Sequence, residues 1–231
     1  MRRRIEDKIK KQLLNLKDDS NKEFVAKLLP NIDKERILGI KTPILKQFSK
    51  ELSKDKTNYE FLEILPHYYI EEYFVHCFLI ETIKDFEPCI KETEKVLPYI
   101  DNWANCDQFN PKIFKKYPNE TLKYIYKRIK SDETYTIRFW IWLLLSNYLD
   151  NEFKKDMLDI VAKIKTEEYY IEMMQARYFA TALAKQPTPT LALIKKKTLS
   201  KFVQNKTIQK ARESRRISEE LKTELLNYKI I

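Results

Sequence analysis

The segment of the chain best suited to chemistry is the run DNWANCDQF at residues 101–109. Trp103 and Asp107 are four residues apart, so on a helix their side chains share one face. The face of a tryptophan ring attracts positive charge, and a neighbouring carboxylate neutralises that charge. The spacing therefore predicts a pocket for a cationic group, with an ordinary core tryptophan as the alternative.

A second candidate is Arg138, which stands near the start of the apolar run Ile137–Leu149. A buried arginine needs a partner, and either a carboxylate or a phosphate would serve. Arg138 could form a structural pair with Asp107, or it could bind a ligand phosphate. The spacing alone leaves both interpretations open.

Metal and thiol chemistry find little support in the sequence. The three cysteines form no CxxC pair, and the only histidines are His67 and His76. We therefore predict no metal site, no disulfide framework and a reducing compartment. Cys106 is predicted to be a core residue, and the two histidines are predicted to be packed or exposed rather than to act as acids or bases.

The start of the chain and its most apolar run indicate the cellular location. The start, MRRRIEDKIKK, is charged throughout and does not resemble a secretion signal. Ile137–Leu149 is too short to span a bilayer. These features predict a soluble, cytoplasmic protein with no membrane partner.

The chain of 231 residues contains one glycine, Gly39. Phosphate-binding loops and dinucleotide fingerprints need several glycines, so both classes of nucleotide site are excluded. Hairpin turns and bulges also use glycine heavily, and its scarcity favours helices. Gly39 itself is predicted to adopt a turn conformation that other residues resist.

Helix signals recur along the whole chain. Prolines fall between segments with helical apolar periodicity, and Thr42-Pro43 is predicted to cap a helix over Ile44–Leu52. Phe61–Leu65 is also predicted to be helical, and Ile137–Leu149 is apolar nearly all round, as in a central buried helix.

An internal repeat further defines the fold. YYIE occurs at residues 68–71 and 169–172, and a similar TYTI occurs at 134–137. The separations suggest a unit of about 33–35 residues, with one further copy near Asn102, which is the length of a stacked helix pair. We predict one all-α domain over residues 1–231: a right-handed solenoid of HEAT-like antiparallel helix pairs with a concave basic face.

The net charge of +10 is concentrated in three blocks. These are residues 1–17, 112–130 and 195–216, and acidic residues outnumber basic ones in the rest of the chain. Lysine and arginine clusters of this kind bind phosphates without reading base sequence. The blocks favour a nucleic-acid partner over a merely lysine-rich solvated surface.

The chain resembles the AlkD-like bacterial DNA alkylation repair proteins, which are built from HEAT-like repeats. Five motifs in compatible order carry the resemblance over nearly the whole length: LGIKTP at 38–43, DNWANCDQF at 101–109, YTIRFWIWLLLSNYLD at 135–150, YYIEMMQARYFATALAKQPTPTLALI at 169–194 and QNKTIQKARESRRIS at 204–218.

The resemblance implies a monomeric DNA glycosylase that releases cationic N3- and N7-alkylated purines from double-stranded DNA without a cofactor. Asp107 would stabilise positive charge on the deoxyribose and help to position the attacking water. Trp103 would pack on the sugar or the lesion, and Arg138 would hold the backbone nearby.

One position departs from the family pattern, because Arg177 stands where a second tryptophan is expected, followed by Tyr178. An arginine there would repel a cationic base and attract a phosphate. The chain could therefore be a catalytically weak or inactive paralogue that binds damaged or structured DNA. A helical-repeat scaffold for protein interaction is a third interpretation.

The remaining candidates are predicted DNA contacts outside the catalytic motif. Lys41 and Thr42 precede a predicted helix N-terminus, which is a favourable place for a phosphate. The closing motif adds candidates that could contact the DNA backbone or belong to a capping helix: Lys206, Lys210 and Arg212.

Overall fold

The structure is a computed structural model that describes residues 2–231, without the side chains of Arg2 and Arg3. Met1 and these two side chains belong to the first basic block, and that part of the prediction lies outside the described residues. The chain divides into two compact units, Met1–Tyr117 and Pro118–Ile231. The single domain over residues 1–231 stays a prediction.

The regular elements of the described residues are α-helices and short 3-10 helices, as the glycine count predicted. The first unit contains α1 (Arg2–Asn15), α2 (Asp19–Leu28), α3 (Thr42–Leu52), α4 (Ile70–Ile80), α5 (Phe86–Val96), α6 (Trp103–Gln108) and α7 (Ile113–Lys116). The second unit contains α8 (Pro118–Arg128), α9 (Thr134–Asn147), α10 (Asp156–Ala162), α11 (Tyr169–Lys185), α12 (Pro187–Lys195), α13 (Lys201–Glu213) and α14 (Glu219–Leu225). The 3-10 helices are Lys34–Arg36, Lys56–Glu63, Leu97–Tyr99 and Leu226–Tyr228.

Helix pairs form the second unit. α8 packs on α9 and α12 packs on α11, while α11 lies between α9 and α13. The apolar sequence of α9 is explained by this position, because most of its side chains are buried, and those of Phe139 and Trp140 are fully buried. The prediction of a central buried helix is confirmed, and α9, α11 and α13 form one continuous row.

The predicted repeat is visible in the helix starts. α4, α6, α9, α11 and α13 begin at residues 70, 103, 134, 169 and 201. A helix begins where the further copy was predicted, because Asn102 is the N-cap residue of α6. Unit length and helical pairing agree with an all-α repeat protein.

The turn at Gly39 explains why this position kept a glycine. Its φ angle is +79°, and a Cβ placed there would lie 2.3 Å from the backbone oxygen of Asp18 and 2.4 Å from the nitrogen of Lys22. The carboxylate of Glu71 accepts hydrogen bonds from the backbone N–H groups of Leu38 and Gly39, at 3.0 and 2.8 Å. The turn therefore fastens the start of α2 to α4.

Two local predictions need correction. The N-cap residue of α3 is Lys41, and Thr42 is the first helical residue, so the Thr42 hydroxyl does not cap the helix. Phe61–Leu65 does not form an α-helix: a 3-10 helix ends at Glu63, and the peptide bond before Pro66 is cis. The physical reason lies in the backbone: Lys41 is extended and stands outside α3, and Ile64 is extended after the 3-10 helix.

The two histidines lie in the core of the first unit. His67 Nε2 and His76 Nδ1 are hydrogen-bonded at 2.9 Å, and the His67 ring stacks on Phe61 with centroids 4.6 Å apart. Burial lowers the pKa of His67 to about 4 and lowers that of His76 well below its usual range. Both rings are therefore neutral packing residues at pH 7.

Among residues 2–231, none of the helices has both the length and the apolar character needed to cross a bilayer.

Candidate functional site

Helix α6 is held rigidly by the asparagines of its own motif. The side chain of Asn102 accepts a hydrogen bond from the backbone N–H of Asn105 at 3.0 Å, which caps the helix. Asn105 Nδ2 in turn donates to the carbonyl of Ile70 at 3.0 Å, at the start of α4. Both asparagines are buried, so the cap and the tie to α4 set the direction of α6.

Residues flanking the asparagines complete this support. Arg36 Nη1 lies 2.6 Å from Asp101 Oδ2, and Asn31 donates to the carbonyl of Asp101 at 2.9 Å. Cys106 and Phe109 are fully buried, so the predicted core role of Cys106 is confirmed. Much of the DNWANCDQF motif therefore serves to position α6.

Trp103 is partly buried and has a defined orientation. It packs against a cluster formed by Leu29, Ile32, Ile37 and Ile70. Its indole N–H donates to the carbonyl of Leu28 at 3.2 Å, at the end of α2. The ring is thus fixed along one edge while part of its surface stays accessible, as stacking on a ligand requires.

Asp107 lies on the same short helix as Trp103 and is also partly buried. The next residue, Gln108, donates through Nε2 to the Thr42 hydroxyl at 3.1 Å. The tie brings the start of α3, which carries two predicted DNA contacts, to the helix of Asp107. Lys41 Nζ lies 3.6 Å from Asp18 Oδ2, with 62% of its side chain exposed.

In the second unit, Arg138 lies on α9 and is only 4% exposed. Its Nη1 donates to the backbone carbonyl of Tyr170 at 2.7 Å. The partner of Arg138 is therefore a backbone carbonyl in the first turn of α11. The sequence analysis had considered only a carboxylate or a phosphate as its partner. Its catalytic role stays a prediction.

Arg177 lies midway along α11 and is partly buried. Its guanidinium carbon is 5.8 Å from the centroid of the Trp142 ring on α9. Lys210 on α13 lines the same surface depression as Arg177, together with Arg216. Burial lowers the pKa of Lys210, and repulsion from Arg177 lowers it further. Two predicted DNA contacts, Arg177 and Lys210, are thus brought together.

Tyr178 was predicted as a DNA contact, and the structure contradicts this. The side chain is 0% exposed, and burial raises the pKa of its hydroxyl. Successive residues of a helix point about 100° apart. Since Arg177 occupies the partly exposed side of α11, Tyr178 faces the core.

The other two candidates on α13 lie around a second depression of about 970 Å³, with Lys229 on its rim. Lys206 Nζ lies 5.9 Å from the Phe202 ring centroid and donates to Gln209, while Arg212 is exposed. The Asn205 side chain pairs with both backbone groups of Ile230, at 2.8 and 2.9 Å. Residues of α13 thus both anchor the chain end and present cations.

Sequence reasoning missed two residues of this arrangement. Trp142 follows Arg138 by four positions, so the rule that placed Trp103 with Asp107 also places Trp142 on the face of α9 that carries Arg138. Arg216 was counted only within a basic block. Its proximity to Arg177 depends on the turn after α13, for which the sequence carries no clear signal.

One comparison with known proteins identifies the family of the chain. A family model described as DNA alkylation repair enzyme matches residues 9–171. The match includes α6, Arg138 and the start of α11, and it ends before Arg177. No curated protein matches the chain.

Proposed function

Because the chain belongs to the DNA alkylation repair enzyme family, we propose that it hydrolyses the N-glycosidic bond of cationic N3- and N7-alkylated purines in duplex DNA. The observation that carries the proposal is the pairing of Trp103 and Asp107 on the rigidly supported α6. A carboxylate one turn from an indole suits a substrate that carries positive charge on the base and develops it on the sugar.

In the proposed reaction the bond between the sugar C1′ and the purine nitrogen breaks. The electron pair leaves with the base, so the cationic purine departs as a neutral molecule. Positive charge develops on the deoxyribose, where the Asp107 carboxylate stabilises it as carboxylates do in glycoside hydrolysis. Water then adds to C1′ and loses a proton, which leaves an abasic site.

The proposal also assigns roles to four other residues, in agreement with their exposure. Trp103 packs on the sugar or the lesion with its accessible surface. Lys41 and Thr42 contact the DNA backbone beside the helix of Asp107. Arg138 is assigned as a positioning residue that orients the first turn of α11 through the Tyr170 carbonyl, since little of its surface can meet a ligand.

The experiment is release of 7-methylguanine and 3-methyladenine from methylated duplex DNA. Asp107→Asn is expected to lower the release rate by about 10²–10³-fold, as removal of one electrostatic contact to a transition state does elsewhere. DNA affinity should change little. The matched control is Asp159→Asn, which neutralises an exposed carboxylate on α10. Equal, background-level release by wild type and Asp107→Asn would refute the catalytic proposal.

A second candidate function is binding to damaged or structured DNA without base release. Arg177 favours it, because a guanidinium stands near Trp142 at the position where the family resemblance expects tryptophan. Affinity that falls steeply with salt, with no base released by wild type, would support this function. Release that Asp107→Asn abolishes would exclude it.

A further inference from the structure

A depression of about 360 Å³ opens between α11 and the end of α13, and we call it the Arg177 pocket. Its polar lining consists of Arg177, Thr181, Lys210, Glu213, Ser214 and Arg216. Three cations face one carboxylate, so the pocket carries a formal charge of about +2.

Lys210 is repelled by neighbouring cations. Burial, Arg177 and Lys206 all lower the pKa of Lys210, and Glu213 raises it only in part. Lys210 lies in the last turn of α13, where a helix dipole favours a cation. Arg177 lies in the middle of α11, so the dipole does not explain its presence there.

The arrangement of hydrogen-bond donors in the pocket also favours binding of an oxyanion. The Trp142 ring lies against the Arg177 guanidinium and restricts its orientation. Ser214 Oγ accepts a hydrogen bond from the backbone N–H of Arg216 at 3.2 Å. This bond does not use the Ser214 hydroxyl proton, and the lining adds the Lys210 ammonium and the Arg216 guanidinium, groups that bind phosphate oxygens.

From the charge and these donors, we propose that the Arg177 pocket binds a phosphate monoester at the end of a DNA strand. A monoester carries about −1.5 to −2 charge at pH 7 and offers three terminal oxygens. An internal phosphodiester carries −1, and a single lysine or arginine contact satisfies it. Hydrolysis of a backbone phosphodiester leaves a monoester, so the ligand class is nicked or gapped DNA.

This inference rests on the proposed function only in taking DNA as the partner. The same pocket could receive a monoester on either side of a nick. Four labelled duplexes separate these sources: one with a 5′-phosphate at a central nick, one with a 3′-phosphate, one with hydroxyl groups on both sides, and one without a nick.

Fluorescence anisotropy at constant salt measures the affinity for each duplex. Of the two duplexes with a phosphate at the nick, we expect one to bind the protein about tenfold more tightly than the duplex with hydroxyl groups on both sides. The reason is that the phosphate gains charged hydrogen bonds. Lys210→Gln and Arg216→Gln should each remove the difference, and so should Arg177→Gln. Arg215→Gln is the matched control, because Arg215 is exposed and does not line the pocket.

The outcomes separate the two proposals. Equal affinity for phosphate and hydroxyl nicks overturns the pocket inference alone, and so does a phosphate preference that all three pocket variants retain. No binding to any duplex refutes DNA as the partner and removes both proposals. Absence of base release in every assay, with the phosphate preference intact, would refute the glycosylase and leave the pocket inference standing.

Circular dichroism shows whether each variant is folded. Lys210→Gln and Arg216→Gln change surface side chains, and the folded chain is expected to tolerate both substitutions.

Discussion

The guanidinium of Arg177 lies against the ring of Trp142, with 5.8 Å between Cζ and the ring centroid. The pair joins α9 and α11 at the surface of the second unit. It places a tryptophan beside the position where the family resemblance expects one, but supplies it from the neighbouring helix. The guanidinium therefore lies over one face of that ring.

The first prediction concerns the stability that this pair contributes. In a double-mutant cycle with Arg177→Gln and Trp142→Leu, we expect a coupling free energy of about 0.5–1 kcal/mol, typical of a partly exposed cation–π contact. Urea unfolding of the four proteins measures it. Arg177→Lys is a useful comparison, since it keeps the charge and loses the planar group. Additive effects of the two substitutions would show that the contact contributes nothing.

The second prediction tests the assignment of Tyr178 to the core. Its hydroxyl is buried, with no hydrogen-bond partner among the described residues. Tyr178→Phe should leave DNA affinity unchanged and raise the free energy of unfolding by up to about 1 kcal/mol, because a desolvated hydroxyl is removed. Anisotropy and urea unfolding measure the two quantities. A clear loss of DNA affinity with intact stability would restore Tyr178 to the binding surface.

The third prediction uses the two described residues with a left-handed backbone, Gly39 and Lys197. Gly39→Ala should destabilise the first unit by about 2–4 kcal/mol, because the new Cβ meets the backbone at the start of α2. Lys197→Gly should stabilise the second unit by up to about 1 kcal/mol, because Lys197 has φ +51° just after α12.

Thermal and urea unfolding measure the stability of these two variants. The free energy of unfolding should fall for Gly39→Ala and rise for Lys197→Gly, although the two residues have similar φ angles. If Gly39→Ala unfolds at the same urea concentration as wild type, the close packing of this turn on α2 is not needed for stability.

The fourth prediction concerns acid stability and the histidine pair. His67 has a pKa of about 4 in the folded chain, and that of His76 is also lowered, both through burial. In the unfolded chain both protonate near pH 6.5. The unfolded state therefore binds more protons between these values, and the stability present at pH 7 is lost as the pH falls.

For the two rings together, we expect a loss of about 2–4 kcal/mol between pH 7 and pH 5. The double variant His67→Phe with His76→Leu should lack this component. Burial raises the pKa of Glu71, Glu72 and Glu81, which acts in the opposite direction, but these groups are present in both proteins. The difference between the two stability curves isolates the histidines, and parallel curves would contradict the prediction.

Much of this protein could be derived from the sequence alone. Scarce glycine and helical periodicity are local properties of the chain, and they were sufficient to predict an all-α repeat protein. The repeat length located helix starts as far apart as Ile70 and Tyr169, since a helix pair needs a set number of residues to pack on the next. The pairing of Trp103 with Asp107 also followed from helix geometry within four residues.

Other features depended on contacts between distant residues, which spacing along the chain does not encode. Thr42 does not have its predicted capping role, because Lys41 is the N-cap residue of α3. The Thr42 hydroxyl instead accepts a hydrogen bond from Gln108. Tyr178 was a surface candidate by sequence and is a core residue by packing, since the rotation of α11 depends on its neighbours on both sides. Only the tertiary structure brought Arg177, Lys210 and Arg216 to one pocket, because helix packing and the turn after α13 decide which charged side chains become neighbours.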